Sequence, residues 1–206
     1  MLGLIFLAPL FFIIAVMIRV DDGPVFFRQE RVGWRGRIFR IYKFRSMVVN
    51  AEKLGASVTA EHDPRITRIG RWLRKTKLDE LPQLLSVFCG DMSIVGPRPE
   101  VPYYVSLWSE ADRNLVLSVN PGITDYATLY YHDEQALLAK ADNPEKIYVE
   151  EVMPHKLEMY KNYVKDSNFW LDIKIILATL GEIIGLSSER LAKRKCTPHD
   201  GTRHKG

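Results

Sequence analysis

The sequence predicts an α+β fold that is mainly helical and contains one small antiparallel β-hairpin. Three observations predict it: an uncharged apolar run at the start, a short segment of alternating side chains, and later segments with helically spaced apolar residues. A length of 206 residues suffices for one domain with a buried core, with or without an anchor. With 47% hydrophobic and 26% charged residues, the composition excludes a disordered chain and a polytopic membrane protein.

The apolar run extends from Leu2 to Ile18 without a charged residue. A secretory signal peptide would need a basic region ahead of the run, and Met1-Leu2-Gly3 provides none. The run lies at the short limit for a spanning helix, and Pro9 near its middle removes a backbone donor. The residues alone leave two interpretations open, a short spanning helix and a broken hairpin that enters and leaves by one membrane face.

The hairpin is predicted around the connection Gly33–Gly36, after the turn at Gly23-Pro24. In its second strand, Ile38, Arg40, Tyr42 and Phe44 fall on one side, and Phe39, Ile41, Lys43 and Arg45 on the other. From Arg31 to Arg45 all the charges are basic. A basic hairpin after an apolar anchor is typical of an anionic membrane surface, and a solvated charged hairpin is the alternative.

Several helices are predicted beyond the hairpin. Residues 48–63 indicate a helix followed by a loop, and Arg65 to Lys77 is a basic amphipathic helix that suits either a headgroup region or an ordinary surface. Phe169 to Leu186 has the spacing of a core or an interfacial helix. From Arg190 onward the sequence indicates a basic, disordered tail.

The overall charge and the cysteines say less about function. A net charge of +4 suits an anionic partner but does not choose among nucleic acid, acidic lipid and a phosphorylated substrate. Cys89 and Cys196 match no metal or redox motif, which is consistent with free thiols in a reducing compartment.

The segment from Leu78 to Glu100 carries the candidate chemistry. Pro82 fits a helix only in its first turn, so the helix is expected to start near Asp79 or Glu80 and to stop at Gly90. Its expected apolar stripe consists of Leu81, Leu84, Leu85 and Phe88. An aspartate in the position of Asp79 is in most proteins only a helix cap.

Basic residues on both sides of this pair favour a phosphate site over a simple cap. Arg74, Lys75 and Lys77 precede it, and Arg98 is held between Pro97 and Pro99, which suits capture of a phosphate although a surface linker has the same pattern. If Mg²⁺ neutralises the phosphate oxygens, an aspartate can attack phosphorus and form a covalent intermediate.

These residues also resemble a known family. The motifs are GPVFFRQERVG from Gly23, IYKFRSM from Ile41, ITRIGRWLRKTKLDELPQL from Ile66, GDMSIVGPRPE from Gly90, NPGIT from Asn120 and FWLDIKIILATL from Phe169. In this order they resemble the bacterial sugar transferases of the monotopic phosphoglycosyl transferase superfamily, which start O-antigen, capsule, exopolysaccharide and glycoprotein glycan assembly.

The resemblance implies transfer of a sugar-1-phosphate from a UDP-sugar to polyprenyl (undecaprenyl) phosphate, with release of UMP. Asp79 is then the nucleophile, and Glu80 its partner in metal binding or in activating the acceptor, so both are expected Mg²⁺ ligands. Arg74 and Arg98 match family arginines near the phosphates, and Lys43 matches a basic residue lining the same site.

The resemblance also implies an organisation at the bacterial inner membrane, with the active site on the cytoplasmic face. Residues 1–20 are expected to form a re-entrant membrane helix, 21–189 the catalytic domain with interfacial amphipathic helices, and 190–206 the flexible tail. The expected partners are UDP-sugar, polyprenyl phosphate and membrane lipid, without nucleic acid.

The chain departs from the family pattern in three places. No basic stretch precedes the apolar run, so either the helix is shorter or the true start is missing, and Ala8-Pro9 replaces the usual Ser-Pro. Asp125 and Tyr126 follow NPGIT where a glycine is common, in a region expected to contact the sugar or the nucleotide.

Two other functions are alternatives to a sugar-phosphate transferase. A glycosyltransferase that moves the sugar alone would release UDP, and its common Asp-x-Asp metal motif does not occur in the sequence. A membrane-anchored basic protein that binds lipid or nucleic acid without catalysis would leave Asp79, Glu80 and Arg98 without a role.

Overall fold

The fold is α+β, as the sequence predicts, in a computed structural model that describes residues 2–20, 23–51, 54, 63–131 and 134–183. The strands are β1 (Phe26–Val32), β2 (Ile38–Phe44), β3 (Ser93–Val95) and β4 (Gly122–Thr124). The helices are α1 (Leu2–Arg19), α2 (Arg68–Lys75), α3 (Gln83–Phe88), α4 (Pro102–Ser106), α5 (Glu110–Val116), α6 (Tyr126–Tyr130), α7 (Glu134–Ala139), α8 (Pro144–Ile147), α9 (Met153–Asp166) and α10 (Phe169–Ile183).

The first helix, α1, runs without interruption through Pro9, so the proline does not end it. One side of α1 is anchored, because Ile14 and Ile18 are buried against Phe44 and Leu73. Its other side exposes large apolar side chains: Phe12, Ile13, Val16 and Met17. Within the described part of the chain, no helix combines the length and the apolar character needed to cross a membrane.

The predicted hairpin is confirmed, and it pairs β1 with β2 from Phe26 opposite Phe44 to Val32 opposite Ile38. Its inner face carries Phe39 and Ile41, which pack against Met92. Phe44 was predicted on the same side as Ile38 and Arg40, which are exposed, but it is buried because α1 covers that end of the hairpin, with the Phe11 and Phe44 ring centroids 5.2 Å apart.

Helix α2 has the predicted amphipathic pattern, with Leu73 buried and Arg68, Arg71 and Lys75 exposed. The prediction that the next helix starts at Asp79 or Glu80 is wrong. Lys77 adopts a left-handed conformation (φ 57°), a 3₁₀ turn spans Leu78–Glu80, and α3 begins only at Gln83. Pro82 has no N–H to be satisfied, so it occupies the position before α3, and the Asp79 side chain does not cap that helix.

The apolar stripe expected to bury α3 is only partly buried, and the most buried side chains of the helix are polar. Gln83 is 1% and Ser86 2% exposed, whereas Phe88 is 60% exposed. The inner face of α3 packs against β2, next to the polar side chains of the candidate site, and this explains why its buried residues are polar. The predicted end of the helix is confirmed, because Gly90 follows it with a positive φ of 82°.

A second, two-stranded parallel sheet pairs β3 with β4, which the sequence did not indicate. Ser93 lies opposite Gly122 and Val95 opposite Thr124. The backbones come so close that a Cβ added at Gly122 would lie 2.1 Å from the Gly96 nitrogen. The pairing places the segment after β3, which contains Arg98, beside the end of β4.

The main apolar core lies among the helices that follow β3. Its completely buried members include Tyr126, Leu129, Met159, Tyr160 and Ile175. Helix α10 closes this core with Leu171 and Ile175, and Thr179 exchanges a 2.7 Å hydrogen bond with Thr124. Part of its predicted apolar face is exposed, at Phe169, Leu177 and Leu180, and Trp170 at the start of the helix is exposed as well.

Three predicted features lie wholly or partly outside the described residues. They are most of the helix and loop at 48–63, the end of the last helix after Ile183, and the basic tail 190–206.

Candidate active site

The structure brings Lys43, Glu80 and Arg98 into direct contact. Lys43 extends from the inner face of β2, Glu80 lies in the 3₁₀ turn before α3, and Arg98 follows β3. The Lys43 ammonium donates to Glu80 Oε1 at 2.9 Å, and the Arg98 Nη2 group donates to the same oxygen. Three of the five residues chosen from the sequence therefore form one cluster, with Asp79 beside Glu80 in the same turn.

Arg98 is held in the extended segment in which Pro97 and Pro99 flank it. Its backbone N–H donates to Asp125 Oδ2 at 3.1 Å, and its Nη1 group donates to the Ile123 carbonyl at 3.2 Å. The flanking prolines restrict the backbone, and the Pro97 carbonyl accepts from the Gly122 N–H at 3.0 Å. The guanidinium is therefore fixed before any ligand binds, which reduces the entropy lost on binding.

Glu80 is stabilised in its charged form. Burial by itself would raise its pKa, but the charges of Arg98 and Lys43, together with their hydrogen bonds, hold the pKa well below the usual range. Glu80 in turn raises the pKa of Arg98, although burial opposes this. A carboxylate that binds protons so weakly is a poor general base and a good permanent anion.

Asp79 lies in the opposite environment. It is 8% exposed, and its Oδ1 atom is buried without a hydrogen-bond partner among the described residues. Burial and then the neighbouring charge of Glu80 raise the pKa of Asp79, while Lys43, Arg74 and Lys77 lower it in part. A carboxylate that is so weakly solvated retains the reactivity that hydrogen bonds would reduce.

Arg74 contributes from the end of α2. Its Nε atom donates to Ser46 Oγ at 2.9 Å, and its buried Nη1 atom has no hydrogen-bond partner among the described residues. The close packing depends on Gly70, where an added Cβ would lie 1.9 Å from the Ser46 carbonyl oxygen. Burial lowers the pKa of Arg74 and the charge of Asp79 opposes that shift, so the guanidinium lies within electrostatic reach of the Asp79 carboxylate.

Sequence reasoning missed a second layer behind Arg98. Arg31 donates to the Pro99 carbonyl at 3.1 Å and lies 3.7 Å from Glu100 Oε2, while Tyr148 donates to Glu100 Oε1 at 2.8 Å. The alternation within the hairpin was a usable signal, because Arg31 pairs with Phe39 and so shares the inner face with Lys43. Tyr148 gave no signal, because it comes from a π-helical turn (Tyr148–Val152) distant in sequence.

Asp125, in the region expected to contact the sugar or the nucleotide, is itself a buried structural residue. It is 1% exposed, and it accepts from the Thr128 N–H at 2.6 Å as the cap of α6. Its other oxygen accepts from the Arg98 N–H. Burial raises the pKa of Asp125 even though these hydrogen bonds lower it.

The donor set of a possible metal site is small. In the parts of the chain that the structure describes, no group of three or more His, Cys, Asp or Glu side chains could hold a metal ion. Mg²⁺ is commonly bound by one or two carboxylates together with substrate phosphates. Asp79 and Glu80 fit that kind of site, because they are adjacent carboxylates and both cations contact the same oxygen of Glu80, so that its other oxygen remains available.

Three similar proteins act on undecaprenyl phosphate, according to their names. An undecaprenyl-phosphate glucose phosphotransferase of Komagataeibacter xylinus is 39% identical over 184 residues. A UDP-N-acetylgalactosamine-undecaprenyl-phosphate N-acetylgalactosaminephosphotransferase of Aeromonas hydrophila is 38% identical over 183 residues. A UDP-glucose:undecaprenyl-phosphate glucose-1-phosphate transferase of Escherichia coli (strain K12) is 34% identical over 180 residues.

The alignments cover most of this chain but a smaller part of each relative. They include 86% of this chain in all three cases, and 32%, 40% and 36% of the respective relatives. The chain thus spans between a third and two fifths of the length of these relatives. The model of the bacterial sugar transferase family matches residues 1–185. The chain belongs to the bacterial sugar transferase family.

Proposed function

We propose that this chain transfers a sugar-1-phosphate from a UDP-sugar to polyprenyl phosphate and releases UMP. One observation carries the proposal: the buried carboxylate of Asp79 has an unpartnered oxygen directly beside an anion, Glu80, that two cations hold in place. The relatives whose names specify undecaprenyl phosphate as acceptor support the same reaction.

In the first step, an oxygen of Asp79 attacks the phosphorus that carries the sugar. A bond forms between this oxygen and phosphorus, the bond from phosphorus to the bridging oxygen breaks, and UMP leaves with that oxygen. Arg98 and Arg74 bind the phosphate oxygens, because the first is rigidly held and the second presents a free buried donor.

In the second step, a phosphate oxygen of the polyprenyl phosphate attacks the same phosphorus. The bond between phosphorus and Asp79 breaks, so the carboxylate is restored and the lipid carries a diphosphate-linked sugar. Glu80 acts in both steps as a fixed anion that orients Lys43 and Arg98, since its lowered pKa makes it unsuitable for taking up a proton.

Asp79 and Glu80 are the residues that would hold Mg²⁺. The ion would neutralise charge on the phosphate oxygens, so that a carboxylate can approach them. We expect EDTA to stop UMP release and added Mg²⁺ to restore it. Full activity in EDTA would remove the metal from the proposal while leaving the nucleophile in place.

We also propose that the chain works at the cytoplasmic face of the bacterial inner membrane, with residues 1–20 as a re-entrant helix and α3 and α10 at the interface. Each of these helices leaves large apolar residues exposed, although α1 and α10 also bury apolar residues on their inner sides, and such exposed apolar surface is typical of a membrane interface. The exposed residues that support this are Phe12, Ile13 and Val16 of α1, Phe88 of α3, and Trp170, Leu177 and Leu180 of α10.

The decisive experiment is nucleotide release by the purified protein in nanodiscs. A panel of UDP-sugars is supplied with Mg²⁺, with and without undecaprenyl phosphate, and UMP and UDP are separated by chromatography. Wild-type protein is compared with Asp79→Asn and with Asp142→Asn, a matched change at an exposed aspartate outside the site.

We expect lipid-dependent UMP from one or a few donors, lost in Asp79→Asn and retained in Asp142→Asn. Release of UDP instead would identify a transferase that moves the sugar alone. Lipid binding without any nucleotide release would favour the non-catalytic basic protein.

A further inference from the structure

Three buried polar atoms without partners lie along the inner face of α3 and the turn before it. They are Asp79 Oδ1, Gln83 Nε2 and Ser86 Oγ, each without a hydrogen-bond partner among the described residues. The three side chains are 8%, 1% and 2% exposed, respectively. Buried polar groups are nearly always hydrogen-bonded, so three such atoms in one short segment require an explanation.

The spacing places these residues on one face of a continuous helical path. Gln83 comes four residues after Asp79 and three before Ser86, which are the separations of neighbours on a helix surface. The connecting residues Leu81 and Pro82 have helical dihedrals of −51°, −37° and −62°, −15°. Side chains at these separations start about 5–6 Å apart, within reach of a glutamine.

The donors and acceptors of the three groups match. A glutamine amide has two N–H donors, an ionised carboxylate oxygen only accepts, and a serine hydroxyl can accept. One N–H of Gln83 directed to Asp79 Oδ1 and the other directed to Ser86 Oγ would satisfy all three atoms together.

We propose that Gln83 is the positioning residue of the nucleophile, joining Asp79 Oδ1 to Ser86 Oγ through its amide and leaving Asp79 Oδ2 to attack phosphorus. The assignment rests on the function proposed above. The assignment depends on a difference between the two oxygens of Asp79: Oδ1 is the buried oxygen, and Oδ2 does not share that burial.

Other groups around Asp79 do not fix its orientation in this way. The charges that act on it are Glu80 in its own turn, Lys43 from β2, Arg74 from α2 and Lys77 from the connection between α2 and the turn. None of them forms a hydrogen bond with Asp79 among the described residues, and Lys43 is already paired with Glu80. Gln83 is therefore the neutral donor available on the buried side.

The test compares Gln83→Met with wild type in the UMP assay, using single-turnover UMP release and the KM for the donor. Methionine keeps the length and flexibility of glutamine without its N–H donors. We expect kcat and the UMP burst rate to fall about 10²-fold, because a misplaced reacting group costs about that much. The donor KM should stay within about twofold, because the phosphate-binding arginines are untouched.

Two further variants complete the test. Ser86→Ala removes only the anchor of the amide, so we expect a smaller loss of kcat, about fivefold. Leu84→Met places the same side chain one residue away on α3, outside the buried row, and should behave as wild type. Thermal unfolding of each variant separates folding from positioning: loss of the Gln83 amide leaves Asp79 Oδ1 and Ser86 Oγ without their donor, so Tm should fall, and kcat is compared per folded molecule.

The outcomes distinguish the two proposals. Wild-type UMP release with an unchanged burst rate in Gln83→Met would overturn the positioning role and leave the transferase function intact. A loss of kcat that parallels a loss of folded protein, with normal kcat in Ser86→Ala, would also overturn it. If wild-type protein releases no UMP from any donor, the proposed function fails and the positioning role fails with it.

Discussion

The part of the molecule that holds the site and the helical part that follows it have different interiors. From Tyr104 to Ile175, most of the buried side chains form one large apolar cluster rich in tyrosine. Around the site the apolar clusters are small, one centred on Phe44 and Leu73 and one on Phe39 and Ile41. Between these small clusters lie the buried polar residues Arg45, Ser46, Asp79, Gln83 and Ser86.

This difference indicates a division of labour between the two parts. Burying apolar surface stabilises the fold, whereas burying charged groups without full pairing opposes it. The helical part therefore contributes most of the stability, and the site part uses some of it to keep a preorganised, poorly solvated carboxylate beside two cations. Substitutions in the two parts should accordingly separate activity from stability.

The largest expected effect is the loss of turnover in Asp79→Asn, by about 10⁴-fold or more, as for other removed nucleophiles. The same change should stabilise the protein at neutral pH. The pKa of Asp79 is raised in the folded state, so its contribution to stability is complete below the unfolded pKa and is lost as the pH rises through the folded pKa. A neutral amide avoids that loss.

The measurement is Tm as a function of pH for both proteins, beside UMP release. The two Tm curves should coincide in acid and separate as the pH rises, with Asp79→Asn higher. A lower Tm for Asp79→Asn at neutral pH would contradict the view that the site part is held at the expense of stability.

The neighbouring substitution Glu80→Gln should act in the opposite direction on stability. It leaves Arg98 and Lys43 without their common anion. Breaking a buried ion pair in this way costs about 3 kcal/mol, which is the lower end of the usual range because the Glu80 side chain is still 21% exposed. Because the pKa of Glu80 is lowered, the stability it provides is present above its unfolded pKa and is lost as the pH falls through the folded value. Urea unfolding at neutral and acidic pH should show the difference from wild type shrinking in acid.

In the helical part, Ile175→Ala should destabilise without damaging catalysis. Ile175 is fully buried in the main core, and such truncations cost about 2–5 kcal/mol. We expect kcat per folded molecule to remain within about twofold of wild type, since Ile175 belongs to the main apolar core and not to the site cluster. A large loss of kcat at full folding would show that α10 transmits strain to the site.

The smallest effect on stability is expected from Leu177→Ser combined with Leu180→Ser on the exposed face of α10. In detergent, the free energy of unfolding should change by no more than about 0.5 kcal/mol, as for most surface changes. Flotation with vesicles should nevertheless decrease, because the pair removes apolar surface that would lie in the interface. Lys174→Ser, an exposed change on the same helix, serves as the comparison, and equal flotation of all three proteins would contradict an interfacial α10.

Local sequence signals predicted part of this structure well. The hairpin and α2 followed from alternation and helical spacing, because each buries one face against the protein. The same logic failed for α3, where Phe88 is exposed while Gln83 and Ser86 are buried, and in part for α10, where Leu177 and Leu180 are exposed. Spacing identifies an amphipathic helix, but it does not say which side faces the protein when a second apolar environment is available.

The candidate site was predictable to a similar extent. Lys43, Asp79, Glu80 and Arg98 were chosen from motifs and from a family resemblance, and three of them are in direct contact. The supporting contacts of Ser46 with Arg74 and of Tyr148 with Glu100 join residues that are distant in sequence. No local pattern encodes such pairs, and strands of three residues such as β3 and β4 are too short to show a period.

The β3–β4 pairing limits where the chain can be shortened or cut without loss of the site. Arg98 depends on Ile123 and Asp125 for its position, and the two strands meet through glycine backbones that leave no room for a side chain. A split version cut between Arg98 and Gly122 would separate the arginine from its support, so reassembly of the fragments would be required for activity. Fragment complementation across this cut would therefore report directly on formation of the site.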